Sequence, residues 1–254
     1  ISRTVPAKTR NKRSVTGTWR FSFENSGLPV SFIPLKEFRN NLFNFTKLEF
    51  DRRWNIEKGK NNWAFRTYAG LGIPNRMGHR YNQGADATRN VHLPFFKQFT
   101  AGGPNSMRAW GVRNLNSYST RTNTPEVADY YGDMQAEVNA EFRFLLFRGI
   151  FGVPIKSAFF IDAGNIWNMK PYDQSLVPQG MSTIDKIYND IAVAGGTSIR
   201  LDFDYFLIRL DFGLKLKTPM DISGNGGWFY KESLNFKEDG LRTIKMQLGI
   251  NYPF

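Results

Sequence analysis

Cysteine is absent from this sequence. That excludes a disulfide framework, thiolate metal sites and thiol catalysis. Histidine is almost absent too. His79 and His92 are the two present; with Asp86 between them in a polar stretch, they read as solvated residues and not as a metal centre. No apolar run approaches the roughly 18–20 residues a membrane-spanning helix needs, because charges interrupt each one. Acidic residues are outnumbered, 22 against 34 basic, which leaves a net charge of +12. Residues 1–14 hold five basic residues and no apolar stretch, so they do not read as a secretory leader. They are expected to form a basic N-terminal segment ahead of a single unit, residues 15–254. The chain, which starts at Ile, is expected to be a fragment of something larger.

What is abundant is aromatic. Phe, Trp and Tyr make up 15% of the 254 residues, with 23 Phe, a load that argues against a disordered chain. The dominant pattern is a period of two, the signature of strands with two unlike faces. In residues 243–254, Ile244, Met246, Leu248, Ile250, Tyr252 and Phe254 share one face, opposite Thr243, Lys245, Gln247, Gly249, Asn251 and Pro253. Residues 205–217 repeat it, with Phe206, Ile208, Leu210, Phe212, Leu214 and Leu216 together. Segments 15–24, 45–54, 63–72, 133–147, 155–168 and 190–204 read the same way. The expectation is eight antiparallel strands, each near the 9–11 residues that cross a bilayer when tilted.

The connections alternate in length. Those near residues 55–62, 148–154 and 203–205 are short, while 25–44, 73–132, 169–189 and 218–242 are long. Short turns at one rim and long loops at the other mark an outer-membrane barrel. The polar faces carry both signs of charge, among them Arg20, Asp51, Arg66, Glu137, Glu141, Arg143, Asp162, Arg200, Arg209, Asp211 and Lys245. Such a set is costly in a dry core and is expected to line a wet lumen. The apolar faces are then expected to meet lipid, with Trp54, Trp63, Trp167, Tyr205 and Tyr252 as an aromatic girdle. The loop 73–132 is far longer than the about 4–6 residues of ordinary connections.

Within that loop stands LPFFKQFTAGGPNSMRAW, residues 93–110. MQAEVNAEFRF (134–144) and AFFIDAGNIW (158–167) follow, then AVAGGTSIRLDF and IRLDFGLKLKTP, and the chain ends on phenylalanine. In this order the motifs resemble the C-terminal half of the barrel in the BamA/TamA family of outer-membrane assembly proteins, in style nearest TamA-like members from Bacteroidota. The resemblance implies a sixteen-stranded transmembrane β-barrel, with its first half and its periplasmic POTRA domains outside this sequence. It implies that loop 73–132 folds into the lumen, and that Arg108 meets Glu141 and Asp162 on the wall. Gly102, Gly103, Met107, Ala109 and Trp110 surround that arginine. Ala109 and Trp110 stand where the family has glycine and phenylalanine, so a different turn is expected there. Alternation independently puts Glu141 and Asp162 on the polar face.

The resemblance further implies that the last strand, Ile244, Met246, Leu248, Gly249, Ile250, Tyr252, Pro253 and Phe254, forms one side of a lateral gate. Pro253 lacks an N–H for a ladder and Gly249 lacks a side chain to pack, both consistent with a weak seam. An ordinary closing strand that frays, and an ion cluster with no conformational role, are the plainer alternatives. Expected partners are unfolded outer-membrane proteins, outer-membrane lipid reached by basic rim residues, and accessory lipoproteins or periplasmic subunits.

No cofactor and no enzymatic activity are expected. Asp133, Glu137, Glu141 and Asp162 have no accompanying cleft for acid–base work. The AGG at 101–103 lacks the strand–helix context and lysine of a phosphate loop. Basic residues are spread over all strands without a nucleic-acid motif. Rival readings are a passive channel, a secretion pore that passes clients through the lumen, or a barrel fused to an upstream enzyme.

Overall fold

The computed structural model describes residues 1–10, 13–27, 45–74, 93–115, 130–149, 152–169, 184–203, 205–219, 226–228 and 244–254. Nine strands follow one another: β1 (Ser2–Arg10), β2 (Arg13–Ser26), β3 (Phe45–Lys58), β4 (Asn61–Pro74), β5 (Met134–Arg148), β6 (Pro154–Trp167), β7 (Ala192–Asp202), β8 (Leu207–Lys217) and β9 (Ile244–Ile250). Each pairs antiparallel with its chain neighbours in a single all-β sheet ordered β1 to β9. Among the described residues no helix is long and apolar enough to cross a membrane.

The period-two pattern sorts side chains as the sequence demands. Phe21, Phe23, Phe50, Trp63, Val138, Phe159, Ile161, Ile199, Met246, Leu248 and Ile250 are exposed on the outer face. Asp51, Glu137, Glu141, Asp162, Arg200, Arg209, Asp211 and Gln247 are buried on the inner one. A water-soluble sheet would reverse this, since burial favours apolar surface by about 25 cal/mol per Å². An outer face of this kind fits hydrocarbon.

Four expectations are corrected. Among the described residues the strands number nine, because Ser2–Arg10, read as a basic segment, pairs with β2 as far as Arg10↔Arg13. Its register slips between Val5 and Lys8, across Pro6, which has no N–H to give; proline and bulges belong on edge strands. Not all of the inner charges line an open watery lumen: Arg108, Arg200 and Arg209 are 0% exposed, Arg108 within residues 93–115 and Arg209 bonded to Pro104 and Asn105 of the same segment. Trp167 is buried and does not join a lipid-facing girdle. The last strand stops at Ile250. Asn251 donates its N–H to Leu207 O at 2.7 Å and then takes a φ of 63°, a left-handed value that asparagine tolerates better than most residues. Tyr252, Pro253 and Phe254 thus lie outside the strand. The rings of Tyr252 and Phe254 sit 4.3 and 5.7 Å from the Arg143 guanidinium and so face inward.

At the long-loop rim a 3-10 turn, Ile184–Asp190, leads into β7. Burial pushes the Asp190 carboxyl up to about 6 against the pull of Lys217, and its Oδ1 has no hydrogen-bond partner among the described residues. The folded value exceeds the unfolded one of about 3.9. The group therefore favours folding below the unfolded value and loses that contribution as pH rises through about 6. Asp190→Asn is expected to stabilise the protein at pH 7.5 by on the order of 2 kcal/mol and to make little difference at pH 4. Urea unfolding at the two pH values checks this.

Candidate functional site

The site begins with the path of residues 93–115 along the inner face. Two glycines on β4 open the way. A Cβ at Gly72 would lie 2.0 Å from Leu93 Cδ1, and one at Gly70 would lie 2.4 Å from the Phe99 ring. Asp133 closes this stretch by accepting the Leu93 N–H at 2.8 Å. Lys97 pairs with Glu24 on β2, and Lys47 on β3 stands 4.2 Å over the Phe99 ring.

The chain then turns tightly. Gly102 and Gly103 have φ of 108° and 95°, and a Cβ at Gly102 would strike Gly111 O at 2.1 Å, so glycine is required there. Ser106 accepts the Gly102 N–H at 3.2 Å, and its hydroxyl pairs with Glu137 on β5. Gly103 N–H donates to Trp110 O at 2.9 Å, and Trp110 N–H to Met107 O at 3.1 Å. Ala109 needs no left-handed φ, so the positive angles of this turn fall on the glycines that precede it.

Arg108 is the centre of this turn. Its Nε and Nη2 donate to the two oxygens of Asp162 on β6 at 2.9 and 2.8 Å, a bidentate fork. Its main-chain N–H also reaches Asp162, at 3.2 Å. Nη1 donates to Glu141 on β5 at 2.5 Å. Phe160, on the inner face of β6, holds its ring 3.6 Å from the guanidinium, close enough for a cation–π contact. Burial opposes the charge, but Asp162 and Glu141 outweigh it and hold Arg108 above its ordinary range.

Glu141 serves more than Arg108. Arg143, beside it on β5, and Arg200 on β7, at 2.8 Å, share its other oxygen. One carboxylate thus joins three guanidiniums. Asn139 steadies Asp162 at 3.0 Å.

The ionic bonds alone do not hold the loop. Ordering a residue costs about 1–2 kcal/mol of backbone entropy, and the desolvation of a buried ion pair consumes much of its attraction. Met107, Trp110, Leu115, Phe99 and Leu93 are buried with Ile166, Ala192 and Ala194 in one apolar cluster. At about 1.5–3 kcal/mol for a fully buried large side chain, that cluster supplies the larger share.

The structure therefore brings Arg108, Glu141 and Asp162 together, with Gly102, Gly103, Met107, Ala109 and Trp110 around them. Phe160, Arg143, Arg200 and Ser106 belong to the same cluster; each lies within one of the quoted motifs, but none was assigned to the clasp. The polar-face parity of Arg143 and Arg200 was the available signal. His79 and His92 lie outside the described residues.

A family model described as the Omp85 superfamily domain matches residues 18–236. The chain belongs to the Omp85 superfamily. It is 29% identical over 175 residues to the outer membrane protein assembly factor BamA of Neisseria meningitidis serogroup B (strain ATCC BAA-335 / MC58), covering 65% of this chain and 20% of that protein. A crystal structure of BamA from Haemophilus ducreyi lacking POTRA domains 1-3 is similar at a TM-score of 0.39 and 12% identity, over 88% of this chain and 51% of that one. The Omp85 chain thus spans a fifth of the first relative and about half of the second. Its inside-out strands are those of an outer-membrane β-barrel.

Proposed function

We propose that this Omp85 chain is part of an outer-membrane machine that assembles or translocates proteins, and that β9 is the strand at which clients engage. No chemical step is involved. Clients are unfolded outer-membrane proteins, whose own folding supplies the free energy. Accessory lipoproteins or periplasmic subunits deliver them, and the surrounding lipid receives them.

The observation that carries the assembly role is the match of residues 18–236 to the Omp85 superfamily domain, and the strand we assign to clients is β9. It has seven residues and pairs, among the described strands, with β8 alone. Its outer face shows Met246, Leu248 and Ile250 to hydrocarbon. If the far side of β9 opens, its N–H and C=O groups are left unsatisfied in lipid at several kcal/mol each. A client strand that pairs there satisfies them by strand addition.

Photocrosslinkers at Met246 and Leu248 of the full-length protein in the outer membrane are expected to capture client strands. One at Glu49, on the inner face, is expected to capture none. Capture at Glu49 without capture at Leu248 is the pattern of a secretion pore and would overturn the lateral reading. Ion conductance with no capture at any position is the pattern of a passive channel.

A further inference from the structure

The loop that carries Arg108 also touches the last strand. Gln247 on β9 is buried, and its side-chain Nε2 donates to Arg108 O at 2.7 Å and to Trp110 O at 2.6 Å. These two carbonyls flank Ala109. Arg108 is therefore tied at both ends, its guanidinium to β5 and β6 and its carbonyl to β9.

Two glycines show how close this approach is. Gly213 on β8 faces the loop backbone, and a Cβ there would lie 2.8 Å from Arg108 O and 3.0 Å from Ala109 Cα. At Gly249 on β9 a Cβ would lie 2.7 Å from the Arg209 guanidinium. Arg209 occupies that space to reach Pro104 O at 2.7 Å, Asn105 Oδ1, and Asn251 O just past the strand at 2.9 Å. Asp211, which faces Gln247 across the β8–β9 ladder, holds the other side of the Arg209 fork.

We propose that Gln247 is a positioning residue that latches β9 to the lumen loop, so that β9 cannot move to admit a client until residues 104–111 shift. The inference builds on the lateral reading of β9, but the latch itself is measurable without a client. A primary amide suits the task, since its two N–H groups reach two carbonyls at once. Leucine is close in bulk but one bond shorter, and offers neither.

Amide hydrogen exchange on the full-length protein in lipid nanodiscs tests the latch. In Gln247→Leu, exchange is expected to rise about tenfold in both 104–111 and 244–250, with β5 unchanged. Gly213→Ala leaves Gln247 intact and crowds the loop from β8; it is expected to raise exchange in the same two segments together. Faster exchange in 244–250 alone in Gln247→Leu would overturn the latch. So would a Gly213→Ala protein that loosens 104–111 while 244–250 stays protected. Coupled exchange without client capture at Leu248 would leave the latch standing and remove the lateral reading.

Discussion

Arg108→Glu is expected to release residues 101–115 from the wall and to lower client assembly at least tenfold. The substitution places a third carboxylate against Asp162 and Glu141, which now share one guanidinium with separations of 2.8 and 2.5 Å. It also removes the cation from the Phe160 ring. Limited proteolysis of the loop in intact outer membranes, beside an assembly assay, checks both parts. Adding Asp162→Arg is expected to restore part of the activity by exchanging the charges. Full recovery is not expected, because the main-chain N–H of residue 108 loses its acceptor and the aromatic face meets an anion. Wild-type assembly by Arg108→Glu would remove the clasp from the mechanism and leave it a structural ion cluster.

Glu141→Gln is expected to be the most damaging conservative change in the wall. Its carboxylate is what Arg108, Arg143 and Arg200 have in common, and all four groups are buried. Among the described residues, neutralising it leaves three guanidiniums with Asp162 as the side-chain carboxylate still bonded to one of them. Removing one partner of a buried ionic group costs about 3–5 kcal/mol. A drop of that size in urea unfolding is expected, well beyond that of Asp162→Asn, which leaves Arg108 its bond to Glu141. If Glu141→Gln unfolds with the wild-type midpoint, the three arginines are neutralised by some other route and the hub assignment is wrong.

Much of this was legible in the sequence because a strand's two faces alternate along every regular stretch between bulges. Ile244 to Ile250 could be sorted from the letters alone, and so could Glu141 and Asp162. Arg108 could not. Nothing periodic marks it, and its assignment came from resemblance in the order of motifs. The N-terminal strand was hidden because Arg3, Thr4, Lys8 and Pro6 give neither face an apolar row. The C-terminal turn was hidden for the opposite reason. Tyr252 and Phe254 continue the alternation numerically, and a left-handed backbone angle at Asn251 leaves no trace in a hydrophobic pattern. Gln247 was placed on the polar face correctly, but its acceptors lie 139 and 137 residues away, a pairing no local rule supplies.

The wall also bonds to the main chain of the loop. Gln135 donates to Thr100 O, Arg209 to Pro104 O, Arg66 to Asn105 O, Asn139 to Ser106 O, and Gln247 to Arg108 O and Trp110 O. Every amino acid offers the same carbonyl. These six bonds therefore follow the route of the backbone and not its spelling. Side chains such as those of Pro104 and Met107 can be exchanged for others of similar shape without losing one of these six bonds, whereas a single inserted residue between Thr100 and Trp110 would put most of them out of step.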